Sequence, residues 1–347
     1  MTTPSALPQP LPPAATLRQR TRLRRALVGG LLAVAAWLPG CGAGADQTLI
    51  RLGHTLDPTH PVHLGMVDMA ERLAAKSGGR ARIEIFPGGQ LGTERELLEL
   101  LQIGSLGMTK VSSSVLEQFV PAFRVFGLPY LFRDDVHRYA VLEGPVGQQL
   151  LLAPEAVWLR GLTYYDAGTR SFYTTGRPIE HPRDLAGLKI RTQESASAIR
   201  MVNLLGAAAT PIAFGELYTA LQQGVVDGAE NNPPSYHTSR HYEVARAYSL
   251  DEHTAVPDVL LVSTVVWNAL DGPTRQWLTE AAVESHEVQK RLWQEATDRA
   301  LAEMTAAGVR IVRPDKAPFR ERVAPMFDEF RRDPVVGPLV DAIEATR

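Results

Sequence analysis

A guanidinium ends the apolar run Gly187-Leu188-Lys189-Ile190-Arg191, immediately ahead of a helix expected from about Ser195. In an α/β arrangement that position opens into the crevice at the carboxyl ends of the strands. Two parallel N–H donors there match the two oxygens of a carboxylate better than a lysine's point charge does. Arg170, in Gly168-Thr169-Arg170, can supply further donors, although in a chain with so many arginines any one of them is by default a surface residue. Downstream, Asp227-Gly228-Ala229-Glu230-Asn231-Asn232 sets two amides where another strand should end; the next residues, Pro233-Pro234, make a turn with a helix cap an equally good account of them. Glu94 sits in the first turn of a helix, where the dipole favours acids, yet from there it can also accept from a hydroxyl. His54 closes the first strand and would face the same crevice. Ser112, beside Ser113 and Ser114, serves equally as ligand donor or helix cap. Phe214 reads as core or as a platform for a ligand.

These residue types bind; they do not assemble a catalyst. There is no G-x-S-x-G, Walker loop, G-x-G-x-x-G or H-E-x-x-H. His54, His60 and His63 are close in sequence, but their spacing matches no helix face or metal site, so no metal and no cofactor is expected.

The elements that must position these groups alternate. Leu49–Gly53 is strand-like, and Val62, Met66, Met69, Ala70 and Leu73 then fall at helical spacing on one face. A strand Ala81–Phe86 follows, then a T-x-x-E capping box at Thr93 and Glu96 opening a helix to about Ile103, then a strand Met108–Ser112. This βαβ order predicts an α/β fold with largely parallel sheets and ligand sites at the carboxyl ends of strands. Near Ala167 the chain changes lobe: strands Phe172–Thr175 and Leu188–Arg191 are joined by helices near Ser195–Leu205 and Phe214–Gln223. Near Val256 it returns, with Asp258–Val266 a strongly β-branched strand. The expected division is therefore a leader over 1–45, the first part of lobe I over 46–167, lobe II over 168–255, and over 256–347 a return to lobe I with a long spanning helix and C-terminal helices packing across the lobes. One very long helix runs from its cap at Asp271 and first-turn Pro273 to a stop at Gly308, with Leu278, Ala281, Ser285, Val288 and Leu292 along one face. At 1.5 Å per residue it reaches about 50 Å, enough to brace both lobes.

Bulk composition fits. The 347 residues are 45% hydrophobic and 21% charged, enough for two lobes with cores of their own. The first forty residues stand apart, with five arginines, no acid and the apolar run Ala26–Leu38, which is the pattern of an export signal. Two cleavage readings compete: Leu38-Pro39-Gly40-Cys41 resembles a lipoprotein box, which would lipidate Cys41, and Ala43-Gly44-Ala45 suits ordinary signal peptidase. The Arg24-Arg25 pair leaves the twin-arginine route open as well. Cys41 is the single cysteine, so the exported chain has neither disulfide nor thiolate cluster. Removing the leader leaves 31 of 36 basic residues against all 38 acidic ones, a net charge of −7, which argues against nucleic acid or an anionic membrane as partner.

The chain resembles the solute-binding proteins of tripartite ATP-independent periplasmic (TRAP) transporters over nearly all of its mature length. The landmarks are Gly88-Gly89-Gln90-Leu91-Gly92, Gly127-Leu128-Pro129-Tyr130, Asp184-Leu185-Ala186-Gly187 running into the Arg191 strand, Gly206 with Pro211, Phe214-Gly215-Glu216-Leu217-Tyr218, and Leu221-Gln222-Gln223-Gly224-Val225-Val226-Asp227-Gly228. The resemblance implies a two-lobe periplasmic binding protein fold with hinge strands and a helix spanning both lobes. It also implies a periplasmic, usually monomeric protein that delivers a small organic acid to TRAP membrane permease subunits. By the same resemblance Arg191 pairs with the ligand carboxylate, Arg170 is the second arginine and Asn231 the cleft asparagine, and His54, Glu94 and Ser112 contact the rest of the ligand. The run Glu230-Asn231-Asn232-Pro233-Pro234-Ser235 and the segment Ser249–Thr254 look like the branch that binds hexuronates, with Asn232 and His253 serving hydroxyls. Thr93-Glu94 stands where some sialic-acid binders carry paired acids, which counts against sialic acid. A C4-dicarboxylate or keto acid is the alternative within the family; an exported hydrolase or a sensor domain is the alternative outside it.

Overall fold

The computed structural model describes residues 47–347; the leader, its cleavage points and Cys41 lie outside the described residues. The strands sort into two sheets. The first is built from β1 (Thr48–Gly53), β2 (Ala81–Phe86), β3 (Met108–Ser112), β4 (Leu159–Tyr165) and, after a long excursion, β10 (Asp258–Ser263), in the order β2-β1-β3-β10-β4. β1 pairs parallel with β2 and β3, whereas β10 runs antiparallel between β3 and β4. The second sheet takes β5 (Arg170–Thr174), β6 (Lys189–Thr192), β7 (Ala208–Pro211), β8 (Gly228–Asn231), β9 (Ala247–Thr254) and β11 (Arg310–Val312), ordered β11-β9-β5-β8-β6-β7. This is the α/β architecture expected from the alternation of elements, but both sheets are mixed and not largely parallel, because β10 in the first and β5 in the second run antiparallel to both of their neighbours.

Local chemistry explains most boundaries. Thr93 caps the helix Glu94–Gln102 through the full capping box with Glu96, and Pro61 opens the helix Pro61–Lys76, whose cap is the His60 side chain. Along β1 the buried Ile50 and Leu52 alternate with the exposed Leu49 and Arg51, as a strand with one covered face should. β3 and β10, at the centre of their sheet, are buried throughout.

Two further expectations are corrected. The β-branched run from Asp258 stops as a strand at Ser263, and Thr264–Ala269 turns into a helix. Pairing decides this: the last partners of β10 are Val262 opposite Met108 and Ser263 opposite Leu159, and beyond them no strand among the described residues offers a ladder. The long helix Gly272–Ala306 is capped by Asp271 as expected, but its inner stripe turns from the Val288 and Leu292 positions to Gln289 and Trp293. A polar side chain wins the buried place because the Gln289 amide accepts from Asp166 N at 2.7 Å and donates to Asp166 O at 2.8 Å, satisfying the chain just where it leaves the first sheet.

That helix ties the two sheets together. Its Leu278, Ala281, Ala282 and Trp293 join the core of Ile50, Leu52, Met66 and Leu260, while Ala300 and Met304 join the core of Tyr173, Tyr236 and Tyr248 beneath the second sheet. The chain passes between sheets after β4, after β9 and again at the end of the long helix, where β11 adds an edge to the second sheet beside β9. The C-terminal helices lie across both halves: Ala317–Val323 packs on Ala196–Leu205, and Gly337–Ala345 packs on Pro145–Leu152.

Candidate functional site

Between the sheets lies a crevice of two adjoining cavities, about 240 and about 40 Å³, that share Thr55, Glu94, Arg191, Gln193 and Phe214. Parallel strands bring their carboxyl ends to it, so β3 delivers Ser112, β6 delivers Arg191 and β8 delivers Asn231. The antiparallel strands bring their starts, so β5 delivers Arg170 and β10 delivers Asp258.

Arg191 is 2% exposed, and its Nε donates to Ile212 O at 2.8 Å. Its Nη1 is buried with no hydrogen-bond partner, and no carboxylate among the described residues pairs with the guanidinium. Burial is the main cause of a pKa below the ordinary arginine value; Arg170 adds to it, while Tyr173 and Glu230 oppose it. A desolvated fork without a protein anion is costly on its own and a ready receptor for a carboxylate.

Arg170 is equally buried but fully engaged. Its Nη2 donates to Glu230 Oε1 at 2.9 Å and to Glu230 O at 2.8 Å, its Nε donates to Glu230 Oε2, and its Nη1 donates to Asn231 Oδ1 at 2.9 Å. Burial raises the Glu230 carboxyl, but Arg170 and His253 outweigh it and bring it down to about 2. An arginine so paired acts chiefly through what it orients. Asn231 Oδ1 accepts from both Arg170 and Asn232 N, which leaves the amide Nδ2 to donate into the crevice. Asn232 caps the helix Pro233–Thr238 through Ser235 N at 2.8 Å, so the turn role and the crevice position coexist.

On the first-sheet side Lys110 Nζ donates to Glu94 Oε1 at 2.9 Å and to Asp258 Oδ1 at 3.1 Å. Glu94 Oε2 accepts from Ser112 N at 3.2 Å. The two sides touch: Ser112 Oγ reaches Gln193 Oε1 at 3.4 Å, Gln118 donates to Glu194 O, and in the interior His60 Nε2 meets Ser235 Oγ at 3.1 Å. Because His60 Nδ1 accepts from Val62 N, its Nε2 carries the proton and donates to the serine.

Seven of the nine residues singled out in the sequence therefore line one crevice: Arg191, Arg170, Asn231, Asn232, Glu94, Ser112 and Phe214. Two do not. His54 is buried beneath it, with Nδ1 accepting from Leu56 N and Nε2 meeting His63 Nδ1 at 3.0 Å; burial, then Lys110 and His63, lower its pKa to about 3. The chain bends after β1, so Thr55 takes the lining position expected of His54. His253 stands behind Glu230, its ring tilted against Phe172 with Nδ1 at 2.8 Å from Asp251, and lines a separate cavity with Tyr130 and Arg320. Burial opposes its charge, but Asp251 and Glu230 raise its pKa to about 9. Sequence reasoning missed Lys110, Asp258, Gln193 and Ser235 as lining groups. Lys110 left a signal, a lysine inside the otherwise uncharged strand Met108–Ser112. Asp258 left none, since its place depends on β10 running antiparallel to β3.

The model of the family described as "Bacterial extracellular solute-binding protein, family 7" matches residues 52–333. Among solved structures, a TRAP periplasmic solute-binding protein from Bradyrhizobium, in complex with α/β-D-galacturonate, is 40% identical with a TM-score of 0.84, covering 86% of this chain and 99% of that one. Another, from Anaerococcus prevotii with bound α/β-D-glucuronate, is 37% identical with a TM-score of 0.84, covering 86% and 97%. The C4-dicarboxylate-binding periplasmic protein of Rhodobacter capsulatus is 32% identical, with 89% of this chain and 93% of that one aligned.

Proposed function

Because this chain belongs to bacterial extracellular solute-binding protein family 7, the binding component of TRAP transporters and not an enzyme family, we propose that it captures a hexuronate or closely related sugar acid and passes it to a two-part membrane permease. One observation carries the ligand class: the buried Arg191 fork has no anion among the described residues, while the opposite wall offers Glu94, Lys110 and Asp258 and the second-sheet wall itself adds Asn231, groups suited to hydroxyls. The galacturonate and glucuronate held by the Bradyrhizobium and Anaerococcus relatives support the same class.

The mechanism is physical. The carboxylate pairs with Arg191 on the second-sheet side, where Asn231 also donates, and the ring hydroxyls bond Glu94 and its neighbours across the crevice. A ligand that touches both sides binds the closed arrangement better than the open one and shifts the population toward it. Arg170 and Glu230 hold Asn231 in place, and the closed form is what the permease recognises. In this reading the mature protein works in the periplasm as a monomer, free or held by a lipid on Cys41.

A thermal-shift panel of D-glucuronate, D-galacturonate, D-galactonate, succinate and malate tests this. A ligand at a hundred times its Kd adds about 2.7 kcal/mol of apparent stability, so the sugar acids should raise the melting temperature clearly. A panel in which no sugar acid moves the transition refutes the reading.

A further inference from the structure

We propose that the Glu94–Lys110–Asp258 cluster is a charge filter: it reads neutral hydroxyls at the far end of the ligand and rejects any acid that carries a second carboxylate. This rests on the sugar-acid reading above.

The inner charges of the crevice, Arg170, Arg191 and Lys110 against Glu230, Glu94 and Asp258, balance in sum but are segregated. Arg170 and Glu230 cancel within one pair. Arg191 is a cation without a carboxylate partner among the described residues on one side, and on the other a single ammonium serves two carboxylates, leaving one negative charge in excess. All three members of the cluster are shielded from bulk water, with side chains 3%, 11% and 8% exposed for Lys110, Glu94 and Asp258, so their charges are felt strongly at short range. Lys110 occupies one oxygen of each partner. Glu94 Oε2 has only the long bond from Ser112 N, and Asp258 Oδ2 has no hydrogen-bond partner among the described residues. Both Glu94 and Asp258 line the crevice, so the first-sheet wall presents acceptors that want O–H donors. A sugar hydroxyl supplies such a donor. The second carboxylate of succinate or malate supplies none and would meet like charge, which is how a site rejects a competitor of similar size. Lys110 is a positioning residue here: it holds the two carboxylates in one wall and keeps their mutual repulsion from opening it.

Calorimetric titration of the wild type, Glu94→Gln and Asp258→Asn with D-galacturonate, D-glucuronate and succinate tests the filter. Both substitutions keep shape and remove one negative charge, and Glu94, in the first turn of a surface helix, tolerates the change where the deeper Asp258 could cost folding. The expected result is at least tenfold weaker sugar-acid binding together with tighter succinate binding, moving the selectivity ratio by on the order of a hundredfold. A purely structural role would weaken both ligands alike and leave the ratio unchanged, which overturns the proposal while the sugar-acid reading stands. A wild type that binds succinate as well as galacturonate also overturns the filter alone; a wild type that binds neither uronate defeats the reading beneath it.

Discussion

Replacing Arg191 by alanine is the most direct challenge to the site. The guanidinium spends one donor, Nε, on Ile212 O, and its Nη1 has no partner among the described residues. In the complex the outward fork is expected to meet the ligand carboxylate, and truncating one partner of a desolvated, hydrogen-bonded charge pair costs about 2–5 kcal/mol. At 1.4 kcal/mol per decade this is a loss of roughly thirtyfold to several thousandfold in Kd. Arg191→Lys should fall between, because an ammonium cannot hold Ile212 O and also offer two parallel donors. Stability should respond less than affinity, since no ion pair among the described residues is broken. The assay is isothermal titration with whichever sugar acid gives the largest thermal shift, and Arg177→Ala, at an arginine whose side chain is 72% exposed, is the control. If Arg191→Ala binds the ligand as tightly as the wild type and the control do, the carboxylate lies elsewhere and the reasoning is wrong.

Other consequences follow from the groups behind that fork. Glu230→Gln strands Arg170 in the interior and should cost about 3–5 kcal/mol of stability in urea unfolding, with weaker ligand binding because Asn231 loses its anchor; an unchanged urea midpoint would contradict it. The stability contributed by His253 is complete below its ordinary pKa of 6.5 and is lost as pH rises toward about 9, whereas that of Glu230 is complete above 4.5 and is lost as pH falls toward about 2. Melting temperatures should therefore decline from pH 6.5 to 9 in the wild type and decline less in His253→Gln; parallel profiles would refute the link. Gly168, at φ +55° in the segment joining β4 to β5, would bring an added Cβ within 2.8 Å of Trp293 Nε1, so Gly168→Ala should lose about 1–2 kcal/mol from backbone strain, with the clash in addition. A melting curve equal to the wild type's would show that the segment yields.

Much of the local structure was legible because it depends on neighbours in sequence. The capping box at Thr93 and Glu96, the Asp271 cap and the helix that follows, and the strands Ala81–Phe86 and Met108–Ser112 are set by side chains a few residues from the backbone they satisfy. Arg191 was legible for the same reason, as a cation ending an apolar strand. The chain alone also carried the family resemblance and, through it, the ligand class proposed above.

Tertiary structure decided what depends on distant partners. Propensity favours extending β10 past Ser263, but the limit of that strand is the length of β3 and β4 beside it, and Thr264 onward is helix for want of a ladder. Gln289 took a buried place from its apolar neighbours because a backbone amide and carbonyl at Asp166 needed its side chain. Arg170 and Arg191 look alike in sequence, yet one is neutralised by Glu230 and the other is left without an anion among the described residues. Residue type and spacing determine which groups can carry charge into a crevice; only the packed fold determines which of those charges is already spent, because burial and pairing are set by strands that meet across the chain.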